Sequence, residues 1–224
     1  MTEIGTLGER SLHAALKTYL AQPGDRFEVK VDGFYIDILR ETDHHPQLIE
    51  IQTKNFTALK RKLATLLESY RVHVVHPIAV QKRIVKFDDG VRVSRRKSPR
   101  RGIVEDVFRE LIRIPHLINH PNFSLEVLLI HEEEIRVNDG KGSWRRKGWS
   151  IVDHVLLEVV ERRVFQGLGD LRALLPESLP AQFTTKDLPV NPRLAQKICY
   201  CLREAGAITQ IGKQGRAYLY EITS

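Results

Sequence analysis

Two stretches of apolar–polar alternation, Phe27 to Val31 and Phe34 to Leu39, are separated only by Asp32-Gly33. A period of two marks a strand with one buried face, and Asp-Gly provides the positive backbone angles of a tight hairpin turn. The chain must therefore hold an antiparallel ribbon of fixed register, and its neighbours in sequence have to cover or extend it. Upstream, residues 6–21 read as a helix with Leu12, Leu16, Tyr19 and Leu20 on one apolar face, ended by Pro23-Gly24-Asp25. Downstream, Gln47 to Gln52 reads as a third strand, whose run Leu48-Ile49-Glu50-Ile51 suits a central position. A second helix is expected from about Asn55 to Tyr70. Phe56, Leu59, Leu63, Leu66, Leu67 and Tyr70 give its apolar period, and Lys60, Arg61 and Lys62 lie elsewhere on its circumference. Val72 to Val75 is β-branched and reads as a fourth strand, continuing past Pro77 to Phe87. The order helix, strand, strand, strand, helix, strand predicts an α/β fold with a mixed sheet flanked by helices.

Within this frame the carboxylates are placed unusually. Asp37 lies between Ile36 and Ile38, and Glu50 and Gln52 are two apart, so both point to one face of their strand. Antiparallel pairing of the two strands would bring Asp37 and Glu50 together. At 100° per residue Glu9 falls on the apolar face of the first helix, where a carboxylate is costly unless satisfied. Three acids aimed at one interior need a cation or protons to coexist. Two carboxylates with a backbone carbonyl suit a hard cation such as Mg²⁺ or Mn²⁺, which lowers the pKa of a bound water and polarises a phosphodiester. The alternative is that Asp37 and Glu50 are ordinary solvent-facing strand residues of a half-exposed sheet.

These residues, over roughly positions 5 to 87, resemble the PD-(D/E)XK nuclease superfamily, the restriction endonuclease-like fold. The resemblance implies a core of helix, three strands, helix and strand. Asp37 matches the first motif position, Glu50 the second, Gln52 the lysine position and Glu9 the acid contributed by the first helix. It implies Asp37, Glu50 and Glu9 as metal ligands and Glu9, Asp37, Glu50 and Gln52 as catalytic residues. Gln52 departs from the motif: it keeps hydrogen bonding but loses the lysine charge. Some nucleases of this superfamily use Glu-x-Gln, and Lys54, two residues on, could supply the charge from the same face.

Beyond residue 90 the chain becomes strongly basic in patches. Arg95, Arg96, Lys97, Arg100 and Arg101 form one cluster, and Arg145, Arg146 and Lys147 lie between Trp144 and Trp149 in a glycine-rich loop. Cations neutralise phosphates and an indole can stack on a splayed base, although each cluster also reads as a solvated loop. A helix is expected over about Val104 to Ile114 and a strand over Ser124 to Ile130. Ile151 to Phe165 has a spacing that allows either a strand or a helix. From Gly167 the chain reads as a helix to about Leu175, a short helix or turn at Thr184 to Leu188, a helix from Asn191-Pro192 to Ala205, and a hairpin around Gly212-Lys213-Gln214-Gly215. That order resembles a winged helix-turn-helix over roughly residues 155 to 222, which implies DNA contacts from Arg193, Gln196, Lys197 and Arg203 on the third helix and Lys213 and Arg216 on the wing. Winged helices also serve as protein-interaction modules. The expected division is a nuclease-like domain at 1–150 and a winged helix at 151–224.

The net charge of +7 is compatible with a polyanionic partner. Cys199 and Cys201, one residue apart on a helix, cannot bridge each other and lack the second half of a zinc site, so they read as core residues of a protein in a reducing compartment. His44-His45 and the His116/His120 pair have poor metal-site spacing. With no signal-like segment and no membrane-length apolar run, a cytoplasmic location is expected. The sequence thus points to a Mg²⁺-dependent phosphodiesterase acting on DNA, with RNA as an open alternative and a homodimer favoured if two strands are cut together. Its rivals are a non-catalytic DNA-binding regulator on a retired nuclease fold and a protein-interaction adaptor.

Overall fold

The computed structural model describes residues 11–43 and 45–223. Its chain forms α1 (Ser11–Leu20), β1 (Arg26–Val31), β2 (Phe34–Arg40), β3 (Gln47–Ile51), α2 (Lys60–Leu66), β4 (Arg71–Asp88), β5 (Val91–Lys97), α3 (Phe108–Leu111), β6 (Phe123–Asn138), β7 (Trp149–Phe165), α4 (Leu168–Arg172), β8 (Gln182–Phe183), α5 (Pro192–Glu204), β9 (Ile208–Gln214) and β10 (Ala217–Ile222). The result is an α/β protein with a large mixed sheet and flanking helices. The strand order is β1-β2-β3-β4-β6-β7, with β5 paired to β4.

Local chemistry accounts for the hairpins. Val31 pairs with Phe34, and the two loop residues Asp32 and Gly33 have φ of 46° and 86°. Asp88 pairs with Val91 around Asp89 and Gly90, at 45° and 78°. Two consecutive positive φ angles make the turn whose twist matches the strands it joins, and glycine reaches that region without steric cost. β2 runs antiparallel to β3, and β3 parallel to β4. The parallel step requires a crossover, which the 3₁₀ turn Phe56–Leu59 and α2 supply. Phe56, Leu59, Leu63 and Leu66 of that crossover are buried.

Two compact units are distinguished. One comprises Gly24–His76, Val104–Val127 and the chain from Arg163 onward; the other comprises the chain up to Pro23, Pro77–Ile103 and Leu128–Arg162. The expected boundary at residues 150/151 falls inside β7, because strand β7 continues unbroken through it. The ambiguous segment 151–165 is this strand. The strand expected at 124–130 extends to Asn138, and the helix expected at 104–114 is a 3₁₀ turn followed by the short α3.

In the first of these units the C-terminal segment folds as α4, β8, α5 and a β9–β10 hairpin, with sheet order β8-β10-β9. Asn191 caps α5, its side chain accepting a hydrogen bond from Leu194 N at 3.1 Å, and Pro192 occupies the first turn, where no donor is needed. Residues 184–188 form a turn rather than a helix: the Asp187 carboxylate accepts from Thr184 N at 2.7 Å. Cys199 and Cys201 are buried on α5, and burial pushes both thiols up to about 12, as core residues require.

In the other unit α1 buries Leu12, Leu16 and Leu20, spaced four apart, while Tyr19, expected on the same face, is 45% exposed. Ser11 anchors the start of α1 to β7, with Ser11 Oγ donating to the His154 carbonyl at 2.9 Å and to the Asp153 carboxylate. A polar network fills the middle of this unit's sheet. Lys82 Nζ lies 2.9 Å from Glu132 and 3.2 Å from Glu134, and Arg136 and His154 complete the shell. These cations hold both carboxyls below the usual range despite burial, and the two glutamates in turn raise Lys82.

Candidate functional site

The β2–β3 ladder pairs Arg40 with Gln47, Leu39 with Leu48 and Ile38 with Ile49, and stops there. Asp37 and Glu50 are the next residue on each strand. Alternation turns both to one face, opposite to Ile38 and Ile49. Where the next ladder bond would form, the Asp37 carboxylate accepts from Ile51 N at 2.8 Å. A side chain has thus replaced a backbone partner, and the two strands part at the position where both carboxylates sit. The β1–β2 ladder is interrupted at the same level: it pairs Phe27 with Ile38 and Val29 with Ile36 but skips Glu28 and Asp37. Glu28 has φ of 51°, a left-handed conformation that costs a non-glycine residue about 1–3 kcal/mol and recurs at functional sites. Asp37 therefore lies where both neighbouring ladders give way.

Glu50 is buried, at 9% exposure, and its Oε1 lies 2.6 Å from Lys62 Nζ. Lys62 comes from α2. Sequence reasoning placed it away from the apolar face, yet Leu59, Lys62, Leu63 and Leu66 are spaced as one helical stripe. A lysine inside that stripe was the signal for a buried acidic partner. A cation contributed by α2 thus stands directly beside Glu50.

Gln52 continues β3 by one further bond, its N–H donating to the Val75 carbonyl at 2.8 Å. Its side-chain amide donates to the carbonyls of Lys54 and, at 3.3 Å, Asn55. That amide therefore organises the loop after β3. Lys54 is exposed in that loop; β3 ends at Ile51, so strand alternation no longer fixes its side, and the expectation that it shares a face with Glu50 loses its basis. The Gln52 carbonyl receives a 2.7 Å bond from His76 Nδ1, which fixes the proton on that nitrogen. Burial lowers the pKa of His76, partly offset by this bond and by Glu110, so the ring is neutral at pH 7. Its ring meets Phe56 edge-on at 5.1 Å, and Phe56 N donates to Glu110 at 3.1 Å. Gln52, Phe56, His76 and Glu110 thus brace the end of β3 that carries Glu50.

Glu9, the third expected ligand, and His44 lie outside the described residues. Among the described residues no group of three or more His, Cys, Asp or Glu side chains gathers in a metal-binding arrangement. Asp37 and Glu50 are hard-oxygen groups of the class that binds Mg²⁺ or Mn²⁺, but Asp37 already accepts from Ile51 N and Glu50 already pairs with Lys62. On the opposite face of the sheet, His73 bridges Ser124 Oγ at 2.7 Å and the buried Glu126 at 2.8 Å. This trio, unforeseen from sequence, satisfies a carboxylate inside the core.

The expected nucleic-acid contacts divide by environment. Arg96, Lys97, Arg100, Arg101, Arg145 and Lys147 are exposed. Arg95 is also exposed but pairs with Glu133 at 2.6 Å, and Arg146 turns inward to the Trp149 carbonyl at 3.1 Å. On α5, Arg193 and Gln196 are exposed, Lys197 is half-buried, and Arg203 pairs with Glu204 at 2.7 Å. Lys213 and Arg216 are exposed on the β9–β10 hairpin, Lys213 lying over the Tyr218 ring at 5.5 Å. Among the described residues no helix is long and apolar enough to cross a membrane.

Fold and site together define an α/β protein whose mixed sheet opens at an acidic pair backed by a helix-borne lysine. The chain belongs to the family described as Domain of unknown function (DUF8091), whose model matches residues 10–166. It is 36% identical over 225 residues to an uncharacterized protein of Treponema pallidum (strain Nichols), covering 97% of this chain and 86% of that protein. No solved structure matches.

Proposed function

We propose that this chain is a divalent-metal-dependent phosphodiesterase of the PD-(D/E)XK type that acts on DNA. The observation that carries the reading is the placement of Asp37 and Glu50 one step past the end of a shared ladder, on one face, with the Lys62 ammonium 2.6 Å from Glu50. The strand directions of β1 to β4 and the crossover through α2 fit the restriction endonuclease-like core that the sequence resembles. Asp37 and Glu50 would hold Mg²⁺ or Mn²⁺, with Glu9 as the further acid. The ion supplies positive charge that polarises the phosphodiester and acidifies a water. Lys62 takes the role of the motif lysine, neutralising charge beside Glu50 and the scissile phosphate. Gln52 holds the β3 loop in place through its amide. The α4–β10 segment fits a winged helix: α5 would present Arg193, Gln196 and Lys197 to a groove and the hairpin would set Lys213 and Arg216 on the backbone.

A second reading is a DNA-binding protein on a retired nuclease fold. The Lys62–Glu50 ion pair favours it, because it already neutralises one of the two carboxylates. Purified protein incubated with linear, supercoiled and branched DNA, in Mg²⁺, Mn²⁺ or chelator, decides between them. Cleavage that needs the metal and disappears in Asp37→Ala is expected. Binding without cleavage in any metal, or cleavage that survives Asp37→Ala, overturns the enzymatic reading. Equilibrium sedimentation of the same protein measures whether it works as a homodimer.

A further inference from the structure

Trp144 is 83% exposed, far more than its size favours: an indole carries among the largest apolar surfaces of any side chain. The loop that displays it is tightly built. Gly142 N donates to the Gly148 carbonyl at 2.9 Å, Arg146 N to Ser143 at 2.9 Å, and Lys147 N to Trp144 at 3.0 Å. The Asp139 carboxylate ties the loop base by accepting from Lys141 N at 3.0 Å and Ser150 Oγ at 2.7 Å. A Cβ on Gly142 would lie 2.0 Å from the Trp149 carbonyl oxygen, so only glycine permits this closure. The backbone that carries the exposed indole is thus closed on a defined scaffold.

Its surroundings select the partner. Residues 139–148 carry four cations and one acid. The Arg145 guanidinium lies 5.6 Å from the Trp144 ring, and Lys141 and Lys147 are exposed nearby in the same loop. In the same unit, residues 91–101 carry six cations and no acid. Trp149, by contrast, is half-buried beneath Lys86, whose Nζ is 4.1 Å from its ring, and serves the scaffold. A largely exposed ring with Arg145 over it, flanked by further groups that neutralise phosphates, matches unpaired nucleotides, whose bases present the π-faces that a duplex hides. We propose that the Trp144 loop binds unpaired nucleic-acid bases, so that the chain prefers single-stranded or locally opened DNA or RNA over intact duplex. This rests on the nucleic-acid part of the functional reading but not on cleavage.

The test uses fluorescence in chelator, where no cleavage intervenes. The chain has two tryptophans, so Trp149→Phe leaves Trp144 as the sole indole. Oligo(dT), oligo(U), a blunt duplex and inorganic polyphosphate are titrated in turn. Saturable quenching by both single strands is expected, with the duplex weaker by about tenfold and polyphosphate not quenching. Trp144→Ala in the otherwise natural chain should weaken single-strand binding about tenfold and duplex binding less than about twofold, and Trp144→Phe should restore most of the loss. No quenching by single strands, or an equal loss for strand and duplex in Trp144→Ala, overturns the proposal. Single-strand preference in a chain that never cleaves rejects the nuclease reading and leaves this one standing. Metal-dependent cleavage with strand binding unchanged in Trp144→Ala does the reverse.

Discussion

Replacing Lys62 by methionine removes the cation from Glu50 and keeps the stem that lies in the α2 stripe. The two charged groups are 2.6 Å apart, with side chains 14% and 12% exposed. At an effective dielectric constant near 20 their gross attraction is about 6 kcal/mol. Desolvation consumes much of that, so the net worth of the pair is small, but removing the lysine takes a counter-charge from a buried carboxylate and costs about 3 kcal/mol. For a chain of this length that lowers the melting temperature by roughly 6–12 °C. Glu50→Gln should be milder, since a neutral amide needs no counter-ion, and the double variant should be little worse than Glu50→Gln alone. A double-mutant cycle from urea titrations at pH 7 should give a coupling of about 2–4 kcal/mol. If the two single changes simply add, Lys62 does not serve Glu50 and the lysine assignment at the site is wrong.

Two further outcomes follow from the same geometry. His76 has a folded pKa below its ordinary value, so the unfolded chain binds more protons in the window just under pH 6.5. Stability should fall as pH drops through that window, by at most about 1.4 kcal/mol per pH unit for this one group. His76→Asn, which can keep the bond to the Gln52 carbonyl, should flatten that part of a melting-temperature profile, and an unchanged slope would place its origin elsewhere. Asn191→Ala should cost about 1 kcal/mol by urea titration through loss of the cap on α5, while Asn191→Ser should cost a few tenths; equal losses would show that the cap bond does not matter.

The amino-acid sequence by itself determined the parts governed by near neighbours. The Asp-Gly turns, the alternation in β1, β2 and β3, the leucine stripes of α1 and α2 and the Asn191-Pro192 start of α5 all follow from contacts within about four residues. The order of elements around the site was therefore legible, and so was the position of Asp37 and Glu50 as the next residues past the antiparallel β2–β3 pairing. Tertiary structure alone decided the rest. Residues 151–165 have apolar spacings that suit two periods, and pairing with β6 settles them as a strand. Strand β7 then runs through the expected domain boundary, since a break in local pattern says nothing about which distant segments pack together. The ladder break at Asp37 and the ion pair between Lys62 and Glu50 join residues 14 and 12 positions apart through backbone groups and side-chain reach that no periodicity encodes. A buried charge declares its partner only when the fold brings the two together, because the cost of leaving it unpaired is set by the environment and not by the sequence around it.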